Sequence, residues 1–193
     1  MAIEFVGFTG DIRIVGQIPL ADDRLSDMLN SVGRVVVRGA TMEDLDTARQ
    51  ETGDVPVPCG DFLVVVGTGR RGLENLRKRT VTRRVQMGLG RFTVTGDLHV
   101  LPAADAASRA GKPDELLVGR DLLVPLTDAA IEYERAGRAV SESWDVLLVN
   151  RARASWIEAV DGAQESILVD DQPEPAVPIA RRRWIKDFTP AID

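Results

Sequence analysis

The segment "GDIRIVGQIPL" (residues 10–20) has a second version later in the chain, "GRFTVTGDLHV" (residues 90–100), and this pair decides the predicted fold. The two segments superpose at a constant offset of 80 residues (90 − 10 and 100 − 20), so that Gly16 falls on Gly96. In both, apolar residues alternate with polar ones, the period of a β-strand with one buried face. A glycine within such a strand is typical of a bulge or sharp bend. The pair therefore predicts one curved strand that occurs twice.

Three further pairs of segments recur in the same order along the chain, with length changes only between them. They are "RVVVRGATMED" (34–44) with "DLLVPLTDAAI" (121–131), "DFLVVV" (61–66) with "DVLLVN" (145–150), and "RRGLENL" (70–76) with "ASWIEAV" (154–160). Segments that recur in the same order along a chain indicate an internal duplication. Each copy is predicted to contain two strands, a loop and two more strands.

The duplication divides the chain into three regions. We expect the first copy in residues 1–76, the second in residues 77–163, and a C-terminal arm in residues 164–193. The segment "DDQPEPAVP" (170–178) contains three prolines, which exclude it from a central strand, and it is interpreted as an extended linker. The segment that follows, "IARRRWIKDFTPAID" (179–193), is expected to dock as a short amphipathic element.

The composition agrees with a sheet protein. Of the 193 residues, 44% are hydrophobic and only 5% are aromatic, and Val and Leu dominate the apolar set. β-Branched residues favour half-buried pleated surfaces, so the composition supports an all-β class. The net charge is −6, which argues against a broad nucleic-acid surface because such a surface needs excess cations to neutralise phosphates.

Cysteine and histidine each occur once, and this limits the chemistry that the chain can perform. With Cys59 and His99 alone, the chain forms no internal disulfide, no cysteine-based cluster and no histidine-rich metal site. We therefore predict no metal and no cofactor. No basic segment precedes an apolar core at the N-terminus, and no apolar run approaches the roughly 20 residues of a spanning helix. The expectation is a cytoplasmic protein that does not enter a membrane.

The heptapeptide "RLSDMLN" (24–30) resembles a catalytic Ser-Asp pair but is better explained as structure. Ser26 is expected to cap a single helical turn, with Asp27 favourable in its first positions. The apolar side chains are expected to close one end of a barrel: Leu25, Met28 and Leu29. Asn30 is predicted to adopt the left-handed conformation that ends the turn. A nucleophilic serine needs a base nearby, and the single histidine lies in the other copy.

Together these motifs resemble a known family. A curved strand with a central glycine, the Leu-Asn loop, and "DVLLVNRARASWIEAV" (145–160) are similar to the Sm-like small barrels. "RLSDMLN" followed by "GRVVVRGATM" also resembles an uncharacterised bacterial domain family with an Arg-Leu-Ser-Asp-x-Leu-Asn signature. The resemblance covers residues 5–76 and 84–160. It implies two tandem small β-barrels related by internal duplication and followed by the C-terminal arm.

The chain departs from the RNA-binding members of the Sm-like family at two points. The second copy has "AASRAGKPDEL" (106–116) where the first has its Leu-Asn loop. Neither copy contains the base-stacking aromatic residue and Arg-Gly arrangement of a uridine pocket. The resemblance therefore implies the fold, while RNA binding does not follow from the fold alone.

Other candidate catalytic motifs are also explained as structure. His99 alternates with Leu98 and Val100, so it is expected to face solvent or a partner. Cys59 follows two prolines and is interpreted as a small buried thiol. "GTGRRG" (67–72) lacks the Gly-Lys-Ser/Thr ending of a phosphate loop and the spacing of the dinucleotide fingerprint, which favours a hairpin tip. We therefore predict no catalytic residues, and a protein that is not an enzyme.

Two clusters rich in arginine are the candidate binding sites, for an anion or for a partner. The residues are Arg70, Arg71, Arg77, Lys78, Arg79, Arg83, Arg84, Arg181, Arg182, Arg183 and Trp184. Small barrels also leave strand edges, which can pair with the C-terminal arm or between molecules to give a dimer or a ring. The resulting hypothesis is a protein-interaction or assembly module that binds a protein partner or itself. The alternative is RNA or nucleotide binding through the arginine-rich segment between the copies.

Overall fold

A computed structural model of the chain describes residues 2–20, 24–68, 81–100 and 121–160. Nearly all regular structure in these ranges is β-strand, which confirms the predicted all-β class. The strands are β1 (Ala2–Phe8), β2 (Ile12–Pro19), β3 (Arg34–Asp44), β4 (Gln50–Pro58), β5 (Val64–Val66), β6 (Val81–Leu89), β7 (Phe92–Val100), β8 (Leu123–Arg135), β9 (Arg138–Asn150) and β10 (Trp156–Ala159). One α-helix, α1 (Leu25–Ser31), precedes β3, and short 3-10 helices follow β4 (Cys59–Asp61) and β9 (Arg151–Arg153). Within the described ranges, no helix has the length and apolarity needed to cross a membrane.

All ten strands belong to one antiparallel sheet. Its order is β10-β6-β7-β8-β9-β5-β1-β2-β3-β4. Strands β1–β5 therefore lie in the order 5-1-2-3-4, and strands β6–β10 lie in the corresponding order 10-6-7-8-9. The two sets, called here the first set and the second set, meet where β5 pairs with β9. Four pairs of consecutive strands are joined as hairpins: β1–β2, β3–β4, β6–β7 and β8–β9.

The sheet is open, which corrects the prediction of two closed barrels. To close the first set, β5 would have to pair with β4. It pairs instead with β1 on one side and with β9 on the other. In the described part of the chain, β4 and β10 each have one neighbour and form the two ends of the sheet. The boundaries predicted at 76/77 and 163/164 lie outside the described residues.

The paired glycines of the sequence stand at equivalent irregularities of the sheet. The register between β2 and β3 shifts at Gly16, and the register between β7 and β8 shifts at Gly96. On the opposite strands, Gly39 (φ +53°) and Asp128 (φ +48°) adopt the left-handed conformation at the shift. An extra residue on one strand of a pair bends the sheet and increases its twist. The structure thus places a bulge where the sequence predicted one.

The order of the strands corrects one of the segment matches. β5 (Val64–Val66) lies beside β1, and the strand in the same place beside β6 is β10 (Trp156–Ala159). The match of residues 61–66 with residues 145–150 is therefore wrong, because residues 145–150 belong to β9. The match of 70–76 with 154–160 stays a prediction, because 70–76 lies outside the described residues.

The core is shared between the two sets. Leu25 and Leu29 of α1 pack in a cluster that also contains Leu123 of β8 and Leu148 of β9. A second cluster joins aromatic rings across the junction: the centroid of Phe8 lies 5.4 Å from that of Phe92 and 5.5 Å from that of Tyr133. Edge-to-face contacts at such distances stabilise aromatic pairs.

The helix α1 confirms part of the reading of "RLSDMLN" and corrects the rest. Leu25 and Leu29 are buried as expected. The helix has seven residues, and it is not capped by Ser26, whose hydroxyl donates to Asp27 at 3.3 Å. Asn30 is helical, and its side chain donates to the carbonyl of Leu123 at 2.9 Å and accepts from the amide of the same residue at 2.8 Å. The end of the helix is therefore bound to the second set, because the start of β8 offers both a donor and an acceptor.

Candidate functional site

Arg83 and Arg84 are the predicted binding residues that the described ranges contain, and they are neighbours on β6. The guanidinium of Arg84 lies 3.1 Å from the carboxylate of Asp97 and donates to the carbonyl of Asp128 at 2.7 Å. Its charge is therefore already neutralised by the adjacent strand. The other predicted residues lie outside the described residues: Arg70, Arg71, Arg77, Lys78, Arg79, Arg181, Arg182, Arg183 and Trp184.

A cleft of about 700 Å³ opens where the turns of the two sets meet, and charged residues line it. Arg91, in the turn between β6 and β7, reaches across to the first set. Its guanidinium lies 3.3 Å from Asp11, 2.7 Å from Asp46 and 3.2 Å from the carbonyl of Glu134. The hydrogen bond that Arg91 donates to Asp46 is the main reason why the pKa of Arg91 rises above its usual value. Arg91 thus links the β6–β7 turn to the β1–β2 and β3–β4 turns and to the end of β8.

The turn that presents Asp46 is held by a second carboxylate. Asp44 accepts hydrogen bonds from the amide of Thr47 (2.8 Å), the hydroxyl of Thr47 (2.9 Å) and the amide of Asp46 (3.0 Å). These bonds, led by the one from the Thr47 amide, lower the pKa of Asp44. When the carboxylate of Asp44 is ionised, these hydrogen bonds fix the backbone of the turn. It therefore orients Asp46 towards Arg91.

An ion pair between a buried carboxylate and a partly exposed arginine joins the sets beside the cleft. Glu43 of β3 is 3% exposed, and Arg135 at the end of β8 donates to it through Nε at 2.8 Å and also through Nη2. The next residue, Ala136, donates its amide to the carbonyl of Leu45 at 2.7 Å. Burying a carboxylate is tolerated when a cation and hydrogen bonds accompany it. The hairpin between β8 and β9 is thus attached to the end of β3.

Tyr133 occupies the inner wall of the cleft. Its side chain is 5% exposed, and its hydroxyl donates to Glu142 at 2.8 Å. Burial, followed by this hydrogen bond to a carboxylate, raises the pKa of Tyr133 to about 12. Both causes favour the neutral phenol, so Tyr133 acts as a hydrogen-bond donor and not as a base at neutral pH.

Titration of Tyr133 is a direct test of this arrangement, because the chain contains one tyrosine. The phenolate absorbance of the folded protein is expected to appear with a midpoint near pH 12. Because the pKa is raised on folding, the associated stability is fully present below the unfolded value of 10.0 and is lost between pH 10 and 12. The Glu142→Gln variant, which removes the negative charge, is expected to titrate at lower pH. A wild-type midpoint at 10 would contradict the buried hydrogen bond.

The candidate catalytic residues of the sequence do not come together in the structure. His99 is half-buried, with Nε2 2.8 Å from the hydroxyl of Thr127. Cys59 is 2% exposed, and burial raises the pKa of its thiol, which confirms the predicted buried cysteine. In the described ranges, no three His, Cys, Asp or Glu side chains are arranged to hold a metal ion. The cleft residues instead hold the two sets together.

The free edge of β4 carries prolines at alternate positions. The amide of Cys59 donates to Gly33 at 3.0 Å, which shows that odd-numbered residues near this end of β4 face β3. Pro56 and Pro58 therefore face outwards, where a proline interrupts no hydrogen bond of the sheet. Prolines on an edge are a common protection against pairing with other chains. Their spacing in "VPVP" was a sequence signal for an edge strand.

The outer edge of β10, which pairs with β6 alone in the part of the chain that the structure describes, carries no proline. The amide of Val160 donates to the carbonyl of Arg84 at 3.0 Å, so the backbone groups of even-numbered residues face β6. The backbone groups of Ile157 and Ala159 therefore face outwards. Trp156 lies across Gly88, where an added Cβ would be 2.2 Å from the indole nitrogen, and its side chain is 40% exposed. The sequence analysis matched these residues to 70–76, which lie outside the described residues, and it did not identify this edge.

The two free edges and the charged cleft are the candidate surfaces within the described ranges. In the cleft, Arg91 is already paired with Asp11 and Asp46, whereas the outer edges of β4 and β10 have no paired strand among the described residues. No protein-family model matches the chain, and no curated protein or solved structure matches it.

Proposed function

We propose that this protein is a non-enzymatic interaction module that binds a protein partner by receiving a strand at a free sheet edge. The proposal rests on a difference between β5 and β10, which occupy the same place in the strand order of the first set and the second set. β5 has β1 on one side and β9 on the other, whereas within residues 2–20, 24–68, 81–100 and 121–160 β10 pairs with β6 alone. Unpaired backbone groups in a row are a template for another strand.

The proposal includes an internal duplication of one Sm-like unit, without a closed barrel. Its support is the common strand order of the two sets and the bulges at Gly16 and Gly96. If the units are copies, then the pairing of β9 with β5 is an example of the contact that each unit makes with a neighbour. The first unit makes this contact inside the chain through β5. The corresponding strand of the second unit is β10, which has no such neighbour among the described residues.

The charged cleft supports a structural role over a catalytic one. Arg91, Arg135 and Tyr133 each hold a carboxylate in the described structure. Catalytic groups need a free functional atom directed at a substrate. RNA or nucleotide binding through the arginine-rich segment remains a prediction, and the ion pair of Arg84 with Asp97 weakens its support.

A labelled peptide tests strand addition. The peptide "SWDVLLVNR" copies residues 143–151, which include the part of β9 that pairs with β5. We expect saturable binding of this peptide to the full chain in a fluorescence anisotropy titration, and no saturable binding of a scrambled peptide of equal composition. Oligo-U is titrated in parallel at two salt concentrations, since phosphate contacts weaken with salt. Salt-sensitive binding of oligo-U without binding of the peptide would favour the alternative function and contradict this one.

A further inference from the structure

We propose that the edge of β10 receives its strand from a different protein, and that prolines on β4 exclude a second copy of this chain. The inference rests on the proposed function and specifies its site and its partner. The partner is an extended segment that runs antiparallel to β10, with free amides at alternate positions and a basic side chain opposite Glu158. The reasons come from the contact between β5 and β9.

The contact between β5 and β9 shows which backbone groups such an interface uses. Asn150 of β9 donates its amide to the carbonyl of Leu63 at 2.9 Å, and Gly67 donates to the carbonyl of Val146 at 2.9 Å. Between them, Leu148 stands opposite Val65 and faces it through its backbone, because antiparallel strands alternate in this way. β9 therefore supplies donors at residues 148 and 150.

The corresponding positions on β4 have no donors. Val35 of β3 and Val124 of β8 correspond to each other, because they lie equally far from the bulges of their strands. Val35 pairs with Val57 of β4, and Val124 pairs with Val149 of β9, so Val57 corresponds to Val149. Counting from Val57, Pro56 occupies the place of Leu148, and Pro58 occupies the place of Asn150. Proline has no amide hydrogen, so both donors are missing.

Docking of β10 onto β4 of a second copy would therefore leave backbone acceptors unpaired. The carbonyls of Ser155 and Ile157 would face Pro58 and Pro56, in place of the amides that Leu63 and Val65 meet on β9. A carbonyl that loses water without gaining a donor destabilises the pairing. Two such losses oppose a head-to-tail chain of copies, whereas a strand without prolines avoids both.

Charge on β10 indicates the kind of partner. Glu158 is exposed at the centre of the strand, and Trp156 and Val160 are the exposed apolar residues beside it. A symmetric pairing of two β10 strands that brings Trp156 against Val160 would place Glu158 opposite its own copy. Like charges directly opposite each other destabilise a strand pair, and opposite charges stabilise it. A Lys or Arg in the incoming strand, flanked by apolar residues, fits this edge.

The test restores the missing donors on β4. In the Pro56→Leu/Pro58→Asn variant, β4 carries the residue types that β9 has at the corresponding positions. We expect the wild-type chain to remain at its monomer mass of 21.0 kDa in light scattering, and the double variant to form species of at least twice that mass. The amide of Ala159 is expected to exchange at least tenfold more slowly in the double variant, because it would then donate to β4 of a neighbour. Adding Ala159→Pro is expected to return the double variant to a monomer.

A matched control separates added apolar surface from restored hydrogen bonding. The Thr52→Leu/Gln50→Asn variant adds the same residue types to exposed positions of β4 and is expected to stay monomeric. A double variant that stays monomeric with rapid exchange at Ala159 would overturn the role of the prolines. A wild-type oligomer that Ala159→Pro dissociates would identify a second copy as the partner, and would overturn this inference while leaving strand addition intact. Failure of the β9 peptide to bind would instead contradict the proposed function itself.

Discussion

Replacing Asn150 with leucine is expected to lower the free energy of unfolding by about 4 kcal/mol, measured by urea denaturation. Asn150 is fully buried, and its side chain donates to the carbonyl of Phe62 at 2.9 Å and to that of Gly60 at 3.2 Å. Its side-chain oxygen accepts from the amide of Ala152 at 3.1 Å. Leucine has nearly the same shape and leaves three backbone groups without this partner, of which the carbonyls of Phe62 and Gly60 are the less exposed. Each unsatisfied buried group costs about 1–3 kcal/mol.

The corresponding residue for comparison is Asn30, which also binds backbone of the other set. Its two hydrogen bonds go to Leu123, at a half-buried site that water can reach after substitution. Asn30→Ala is therefore expected to cost only about 1 kcal/mol. Equal losses of stability in Asn150→Leu and Asn30→Ala would contradict the importance of burial at Asn150.

The second large effect is expected at the bulge. Gly16→Val should destabilise the protein by about 3 kcal/mol, because overpacking in a dense interior forces the backbone to move. A Cβ at this position would lie 2.7 Å from Cγ1 of Val37 and 2.8 Å from the carbonyl oxygen of Arg38. The second of these atoms is backbone, so a rotamer change cannot relieve the contact. The measurement is again the midpoint of urea denaturation.

The equivalent variant of the second set extends the prediction. A Cβ at Gly96 would lie 2.9 Å from Cβ of Leu126 and 3.0 Å from Cβ of Ala129, so Gly96→Val should have a similar cost. Gly10 is the matched control, because a Cβ there meets nothing within 4 Å and Gly10→Val should change stability by less than about 1 kcal/mol. Equal effects at Gly10 and Gly16 would show that loss of a glycine, and not crowding at the bulge, is responsible.

Local patterns predicted the parts of the structure that depend on neighbouring residues. Alternation of apolar residues identified β2 and β7, and the glycine in each of them marked the bulge. Leu25 and Leu29 were expected to be buried, and they are. The capping role of Ser26 was wrong, because Leu25 already begins the helix and no side chain caps it. The binding role of Arg84 was inferred from charge alone, whereas the structure pairs it with Asp97.

The amino-acid sequence by itself determined the class of the fold and the curvature at Gly16 and Gly96. These properties follow from side-chain periodicity and from backbone restrictions of single residues. Only the tertiary structure decided that β5 pairs with β9, and that β10 has a single neighbouring strand among the described residues. Strands pair through backbone groups that nearly every residue carries, so the choice of neighbour is set by the packing of the whole sheet.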